Sequence, residues 1–196
     1  MLALQGDVPE HRSAFERLLG PGSVVLVRDR ETLAGVSALA IPGGESTTLS
    51  NLLDESALRG PLTARIGAGL PVLATCAGLI LLSRQLEPVA GGRDPTPIPV
   101  LDITVRRNDH GRQRESFEAD VTVDGIPDPP FPGIFIRAPR ILDVQGATVP
   151  IARRGAEVVG VRSGSVWGLA FHPELSGDSR IHERFLKDAL GWDQAK

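Results

Sequence analysis

The chain has 196 residues, which is long enough to bury one substantial core, and we expect a single domain over residues 1–196. A formal net charge of -3, with both signs mixed along the chain, gives no reason to expect nucleic acid or an anionic membrane as a partner. The single cysteine excludes an intramolecular disulfide and a Cys-x-x-Cys zinc site, and it favours a reducing compartment. The first residues lack the segments of a signal peptide, and no apolar run approaches the roughly 20 residues of a spanning helix, so we expect a cytoplasmic protein.

The first half of the chain alternates short apolar runs with helical spacing of apolar residues. Such alternation is typical of a parallel sheet flanked by helices. Glycine and proline at residues 20–22 end the first helix, and Ser46 or Thr47 is suited to cap the second. The predicted strands are residues 2–4, 24–27, 38–41 and 71–75, and the predicted helices are residues 9–19, 46–53 and 78–86.

The second half contains short strands separated by turn residues, until a final amphipathic helix begins at about residue 180, which Asp178 is placed to cap. His11 and His182 lie on predicted helices, where we expect them at the surface or facing a partner. We therefore predict an α/β fold with one open sheet, mainly parallel with an antiparallel extension, flanked by helices. The predicted strands of this half are residues 103–106, 116–123, 133–137, 141–144, 150–153, 157–162 and 166–171.

Cys76 follows a predicted strand and precedes a predicted helix, with Thr75, Ala77 and Gly78 as small neighbours. Small residues permit the tight strand-to-helix turn that lifts a nucleophile above a sheet, and the helix N-terminus favours an anion. A lone cysteine is more usually an inert core residue. On the local pattern alone, the structural and the catalytic interpretations of Cys76 compete.

His172 and Glu174 lie on either side of Pro173 at the end of an apolar strand. Pro173 favours an extended backbone at His172, and residues two apart in an extended segment point to the same side. A carboxylate beside an imidazole orients the ring and stabilises its cation. A polar turn is the better explanation of this segment taken alone. However, a thiol, a base and an acid, each at the end of a predicted strand, together indicate a thiol hydrolase.

Two further segments are rich in groups that bind anions. Residues 42–46 read Pro-Gly-Gly-Glu-Ser after a predicted strand, and the backbone N–H groups of such a loop can hold an oxyanion. Residues 106–113 read Arg-Arg-Asn-Asp-His-Gly-Arg-Gln, which is dense in donors for a carboxylate. A plain strand-to-helix turn and a solvated polar loop are the simpler interpretations of these two segments taken alone.

Segments spread over nearly the whole chain resemble the glutaminase subunit of pyridoxal 5'-phosphate synthase, a class I, triad-type glutamine amidotransferase. The Cys76 segment and His-Pro-Glu are shared by many class I amidotransferases, whereas the other motifs are more specific to this subfamily. The matching segments are residues 2–6 (Leu-Ala-Leu-Gln-Gly), 41–48 (Ile-Pro-Gly-Gly-Glu-Ser-Thr-Thr), 75–82 (Thr-Cys-Ala-Gly-Leu-Ile-Leu-Leu), 107–108 (Arg-Asn) with 111–113 (Gly-Arg-Gln), 116–118 (Ser-Phe-Glu), 135–139 (Phe-Ile-Arg-Ala-Pro) and 171–175 (Phe-His-Pro-Glu-Leu).

The resemblance implies a Cys-His-Glu triad with Cys76 as nucleophile, His172 as general base and acid, and Glu174 as the group that orients His172. It implies hydrolysis of L-glutamine to L-glutamate and ammonia, without a metal or other cofactor. It also implies a partner, the barrel-shaped lyase subunit of the synthase, which combines ammonia with a pentose phosphate and a triose phosphate. The implied glutamine-binding residues are Gly44, Glu45, Ser46, Arg107, Ile136 and Arg137. The implied oxyanion hole is the backbone at Gly43, Gly44 and Ala77.

Three alternatives are weighed against this function. A thiol hydrolase of the same fold acting on γ-glutamyl conjugates would share the triad, so only the subfamily motifs and a substrate panel separate it. A non-enzymatic regulatory or assembly module is disfavoured by the complete set of Cys76, His172 and Glu174. A zinc deaminase also needs a Pro-Cys-x-x-Cys ligand pair, which a chain with one cysteine excludes.

Overall fold

The computed structural model describes residues 1–88, 94–107 and 116–192. The strands are β1 (Leu39–Ile41), β2 (Val72–Thr75), β3 (Ser83–Leu86), β4 (Leu101–Arg106), β5 (Phe117–Val123), β6 (Phe131–Phe135), β7 (Arg140–Val144), β8 (Val149–Arg154), β9 (Glu157–Ser163) and β10 (Val166–Leu169). The helices are α1 (Val8–Leu19), α2 (Arg30–Gly35), α3 (Ser46–Glu55), α4 (Arg59–Gly67), α5 (Ala77–Leu82) and α6 (Arg180–Leu190), and a 3₁₀ turn spans Pro173–Leu175.

A seven-stranded sheet of mixed direction, in the order β1-β2-β10-β9-β8-β5-β6, forms the centre of the molecule. Strands β1, β2 and β10 are parallel, and every residue of these three strands is buried, as expected where helices cover both faces. Leu2 bridges Val27 in parallel and donates its backbone N–H to the carbonyl of Ala40, 2.9 Å away. The predicted strands 2–4 and 24–27 are thus reduced to single bridging residues beside the sheet.

The rest of the large sheet is antiparallel, from β10 through β9, β8 and β5 to β6. A separate three-stranded sheet contains β3, β4 and β7, with β3 parallel and β7 antiparallel to β4. Buried and part-buried residues alternate along β4 and β6, because only one face of each strand lies on the core. The predicted α/β fold, with flanking helices and an antiparallel extension of the sheet, is confirmed. The prediction of one mainly parallel sheet was wrong, because most strand pairings of the large sheet are antiparallel and β3, β4 and β7 form a second sheet.

Several local predictions were wrong. The helix predicted over residues 78–86 ends at Leu82, where Ser83 turns to an extended backbone (φ -70, ψ 148) and starts β3. The N-cap of α3 is Glu45 rather than Ser46 or Thr47, since the Glu45 carboxylate accepts the first N–H groups of the helix. Helices α2 and α4 were not predicted, because each buries only one or two apolar side chains and gives little periodic signal.

The prediction that His11 and His182 lie at the surface or face a partner was also wrong, since both side chains are fully buried between α1 and α6. Each histidine lies three to four residues before a buried aromatic on its own helix, Phe15 in α1 and Phe185 in α6. At that spacing a side chain belongs to the apolar face of its helix. Asp178 does bind the start of α6, by accepting the backbone N–H of Arg180 at 2.9 Å.

Candidate active site

Cys76 occupies the turn between β2 and α5 with a backbone of φ 47 and ψ -100, which is unusual for a residue with a side chain. Its N–H donates to the carbonyl of Leu169 in β10 at 2.8 Å, and this bond fixes the turn to the neighbouring strand. A Cβ on Gly78 would lie 2.5 Å from the carbonyl oxygen of Ile41, so the turn has no room for a larger residue there. The backbone therefore has the strained elbow that the sequence predicts, with Cys76 at the end of the sheet.

His172 and Glu174 follow β10, the strand that pairs directly with β2. Nδ1 of His172 donates to Oε1 of Glu174 at 2.7 Å, and both side chains are buried. The backbone N–H of His172 donates to the carbonyl of Ile134 at 2.8 Å, which anchors the segment to β6. The geometry thus pairs the predicted base with the predicted acid.

Asp7, just before α1, is a site residue that the sequence analysis missed. Its Oδ2 lies 3.2 Å from Nδ1 of His172, the atom that also faces Glu174. The only local signal was a carboxylate shortly after the first predicted strand, within a segment that matched no nucleotide-binding motif. The ligand atoms of Asp7, His172 and Glu174 lie within 4.8 Å of one another, close enough to hold a cation. Nδ1 of His172 already donates to Glu174, so the same cluster can hold a proton instead of a cation.

The electrostatics of the site favour a charged imidazole. Burial opposes a charge on His172, but hydrogen bonds with Asp7, Cys76 and Glu174 outweigh burial and raise the pKa of His172 to about 12. Burial also raises the pKa of Glu174 above its usual value, although the hydrogen bond from His172 acts in the opposite direction. An imidazolium beside the thiol is the arrangement that stabilises a cysteine thiolate.

One cavity of about 140 Å³ opens onto Cys76 and His172. All six residues expected to bind glutamine line it, together with Asp7 and Ile80, whereas Gly43 and Ala77 of the expected oxyanion hole do not. The charged side chains that line the cavity have both signs, two arginines and two carboxylates, which suits a zwitterionic amino acid. The lining residues are Asp7, Gly44, Glu45, Ser46, Cys76, Ile80, Arg107, Ile136, Arg137 and His172.

The glycine loop after β1 packs tightly against the segment before α1. The carbonyl of Gly43 accepts the N–H of Asp7 at 3.1 Å, and a Cβ on Gly6 would lie only 1.7 Å from that carbonyl oxygen. A Cβ on Gly43 would lie 2.4 Å from Cε1 of His172, so glycine is required beside the imidazole. The role of Gly43, Gly44 and Ala77 as an oxyanion hole stays a prediction. Asn108 and residues 111–113 of the arginine-rich motif lie outside the described residues.

The comparisons with known proteins identify the family. A model of the SNO glutamine amidotransferase family matches residues 1–190. The chain belongs to this family. A pyridoxal 5'-phosphate synthase subunit PdxT from Thermococcus onnurineus (strain NA1) is 46% identical, over 97% of this chain and 98% of the relative. A subunit of the same name from Mycobacterium bovis (strain BCG / Pasteur 1173P2) is 46% identical over 95% and 93%.

Solved structures agree with this assignment to the SNO glutamine amidotransferase family. A crystal structure of a glutamine amidotransferase superposes with a TM-score of 0.86 at 42% identity, covering 96% of each chain. A structure of PurLQS from Thermotoga maritima, at 18% identity and a TM-score of 0.61, shares the fold. The family and the enzyme class that the motifs indicated are confirmed. Within the part of the chain that the structure describes, no helix combines the length and apolar character needed to cross a bilayer.

Proposed function

We propose that this chain is the glutaminase subunit of a pyridoxal 5'-phosphate synthase and acts as a single glutamine amidotransferase domain. It hydrolyses L-glutamine to L-glutamate and ammonia, and it passes ammonia to the synthase subunit that makes pyridoxal 5'-phosphate. The family match and the PdxT relatives at 46% identity support this substrate and this partner. The observation that carries the mechanism is the buried 2.7 Å hydrogen bond between His172 and Glu174, beside Cys76 on its strained turn.

In the first step, the Cys76 thiolate attacks the side-chain amide carbon of glutamine, and backbone N–H groups hold the resulting oxyanion. The C–N bond then breaks as the His172 imidazolium gives its proton to the amide nitrogen, which leaves as ammonia. Acylation removes the hydrogen bond that the imidazolium donates to the sulfur of Cys76, and this bond helps to raise the pKa of His172. The imidazolium therefore becomes a stronger acid at the step in which its proton must leave.

In the second step, neutral His172 takes a proton from water, and the oxygen attacks the γ-glutamyl thioester. Glutamate leaves, the Cys76 thiolate is restored, and His172 keeps the proton for the next cycle. Glu174 stabilises the imidazolium in both steps through its hydrogen bond to Nδ1.

The glutamine pocket offers charges that match both ends of an amino acid. We assign Arg107 and Arg137 to the α-carboxylate, because a guanidinium binds a carboxylate with paired hydrogen bonds. Gly44, Glu45, Ser46 and Ile136 complete the pocket. A catalytic thiol must stay reduced, and for this reason we propose a cytoplasmic location.

A glutaminase assay with and without the cognate synthase subunit tests this function, for the natural chain and for Cys76→Ala. We expect glutamate release that depends on the partner and on Cys76, because ammonia released without an acceptor is wasted. Cys76→Ala should still bind the synthase subunit, which separates lost chemistry from lost assembly. Strong turnover by Cys76→Ala, or no partner-dependent release by the natural chain, would contradict the proposal.

A further inference from the structure

The second oxygen of Glu174 has an unexplained neighbour. Oε1 accepts Nδ1–H of His172, whereas Oε2 lies 3.2 Å from Nε2 of His11 on α1. The side chains of His11 and Glu174 are both 0% exposed, so no bulk water replaces this contact. Although Nε2 of His11 lies this close, the contact lacks the geometry of a hydrogen bond, and Oε2 has no hydrogen-bond partner among the described residues. A buried carboxylate oxygen without a donor is costly, so the neighbouring imidazole matters.

The surroundings of His11 indicate which ring nitrogen carries its proton. Nε2 faces Oε2 of Glu174 and also lies 3.0 Å from Oγ1 of Thr75. A nitrogen lone pair at this position would repel the carboxylate, whereas an N–H that donates to Oγ1 of Thr75 also brings its positive end close to Oε2. In the described part of the molecule Nδ1 of His11 has no hydrogen-bond partner. The tautomer with the proton on Nε2 is therefore the favoured one.

Burial and the nearby positive groups disfavour a charge on the His11 ring. Burial lowers its pKa well below the usual 6.5, and the neighbouring His182, His172 and the amino group of Met1 act in the same direction. Glu174, whose Oε2 lies 3.2 Å from the ring, has the negative charge that would instead favour a charged His11. A neutral donor can hold the carboxylate without neutralising it, which leaves the negative charge of Glu174 available to the His172 imidazolium.

We propose that His11 is a positioning residue for the triad, whose Nε2–H attracts Oε2 of Glu174 and keeps Oε1 in line with Nδ1 of His172. The proposal rests on the proposed role of Glu174 in glutamine hydrolysis. His11 touches neither glutamine nor the reacting atoms, and it acts through the carboxylate alone. Because α1 begins next to Asp7, which contacts the same imidazole, this one helix supports both carboxylates that face His172.

The test compares three variants in the complex with the synthase subunit, with kcat and KM for glutamine as the readouts. His11→Leu has a similar volume but no donor, and it should lower kcat about ten- to a hundredfold while KM changes less than about threefold. His11→Gln can place an amide N–H near the position of Nε2, and it should retain kcat within about fivefold. His182→Leu is the matched control, since it is equally buried in the same cluster but contacts neither carboxylate, and it should retain kcat within about twofold.

A pH profile separates positioning from a general loss of packing. Without the donor, Glu174 protonates more readily, so the acidic limb of kcat/KM should move up by about one pH unit in His11→Leu and stay in place in His11→Gln. If His11→Leu does not fold, His11→Met makes the same comparison with a more adaptable side chain. An equal loss of kcat in the Leu and Gln variants, or an unchanged kcat and pH profile in His11→Leu, would overturn the proposal. Inactivity of the natural chain, or full activity of Cys76→Ala, would instead refute the proposed function.

Discussion

His182 is a neutral imidazole in the core, and replacing it with leucine should make the protein more resistant to acid. Its side chain is fully buried against α1, where its ring meets that of Phe15 at 4.9 Å and 86°. Within the described residues neither ring nitrogen has a hydrogen-bond partner, so a leucine of similar volume removes no bond. Burial lowers the pKa of His182 to about 4, and Arg17 acts in the same direction.

The sign and size of the acid effect follow from this pKa. An unfolded histidine titrates near 6.5, so below that pH the unfolded chain binds a proton that the folded protein excludes. The contribution of His182 to the free energy of unfolding is therefore complete above 6.5 and is lost as the pH falls towards 4. Between pH 7 and pH 5 the loss amounts to about 2 kcal/mol.

Other groups titrate as well, and a difference measurement isolates His182. The lowered pKa of His11 acts in the same direction, whereas the raised pKa of Glu174 acts in the opposite one. The raised pKa of His172 stabilises the protein fully below 6.5, and this contribution is lost only as the pH rises towards about 12. These contributions are shared by the natural chain and the His182→Leu variant, apart from the part of the His11 shift that His182 causes, so they nearly cancel in the difference.

Urea unfolding at pH 7, 6 and 5 measures the difference between the natural chain and His182→Leu. The variant should gain about 2 kcal/mol relative to the natural chain between the two ends of this range. Phe185→Leu, an apolar change on the same helix, should give an offset that does not vary with pH. A constant offset for His182→Leu as well would show that His182 titrates alike in the folded and unfolded chain, and the reasoning would fail.

Three further predictions concern the site and its supports. Cys76→Gly should have a free energy of unfolding about 1 kcal/mol above that of Cys76→Ala, because φ 47 favours glycine; equal urea midpoints for the two inactive variants would contradict this. Gly78→Ala places a Cβ 2.5 Å from the carbonyl oxygen of Ile41, so it should cost about 1–3 kcal/mol and most glutaminase activity, and an unchanged thermal midpoint would count against it. Glu45→Ala removes the acceptor for the first N–H groups of α3 and should cost about 1 kcal/mol in urea unfolding, with Glu45→Gln losing less.

The sequence alone determined the features that depend on neighbours along the chain. The fold class followed from apolar runs that alternate with helical spacing, and the elbow at Cys76 followed from its small neighbours. The pairing of His172 with Glu174 followed from their spacing around Pro173 at the end of a strand, and the structure has their side chains 2.7 Å apart. Each of these features arises within a few residues along the chain, where steric clashes restrict the backbone conformations.

Only the tertiary structure decided which distant groups meet. Nothing local indicated that Asp7 shares an atom of His172 with Glu174, or that His11 lies beside the second oxygen of that carboxylate. A histidine at the edge of a helical apolar face suits either solvent or the core, and the packing of α1 on α6 settled the choice for His11 and His182. Likewise Ser83–Leu86 continues an apolar helical pattern but became β3, because pairing with β4 supplied its backbone hydrogen bonds. Contacts between elements far apart in the chain have no local signal, and here they form the support of the proposed triad.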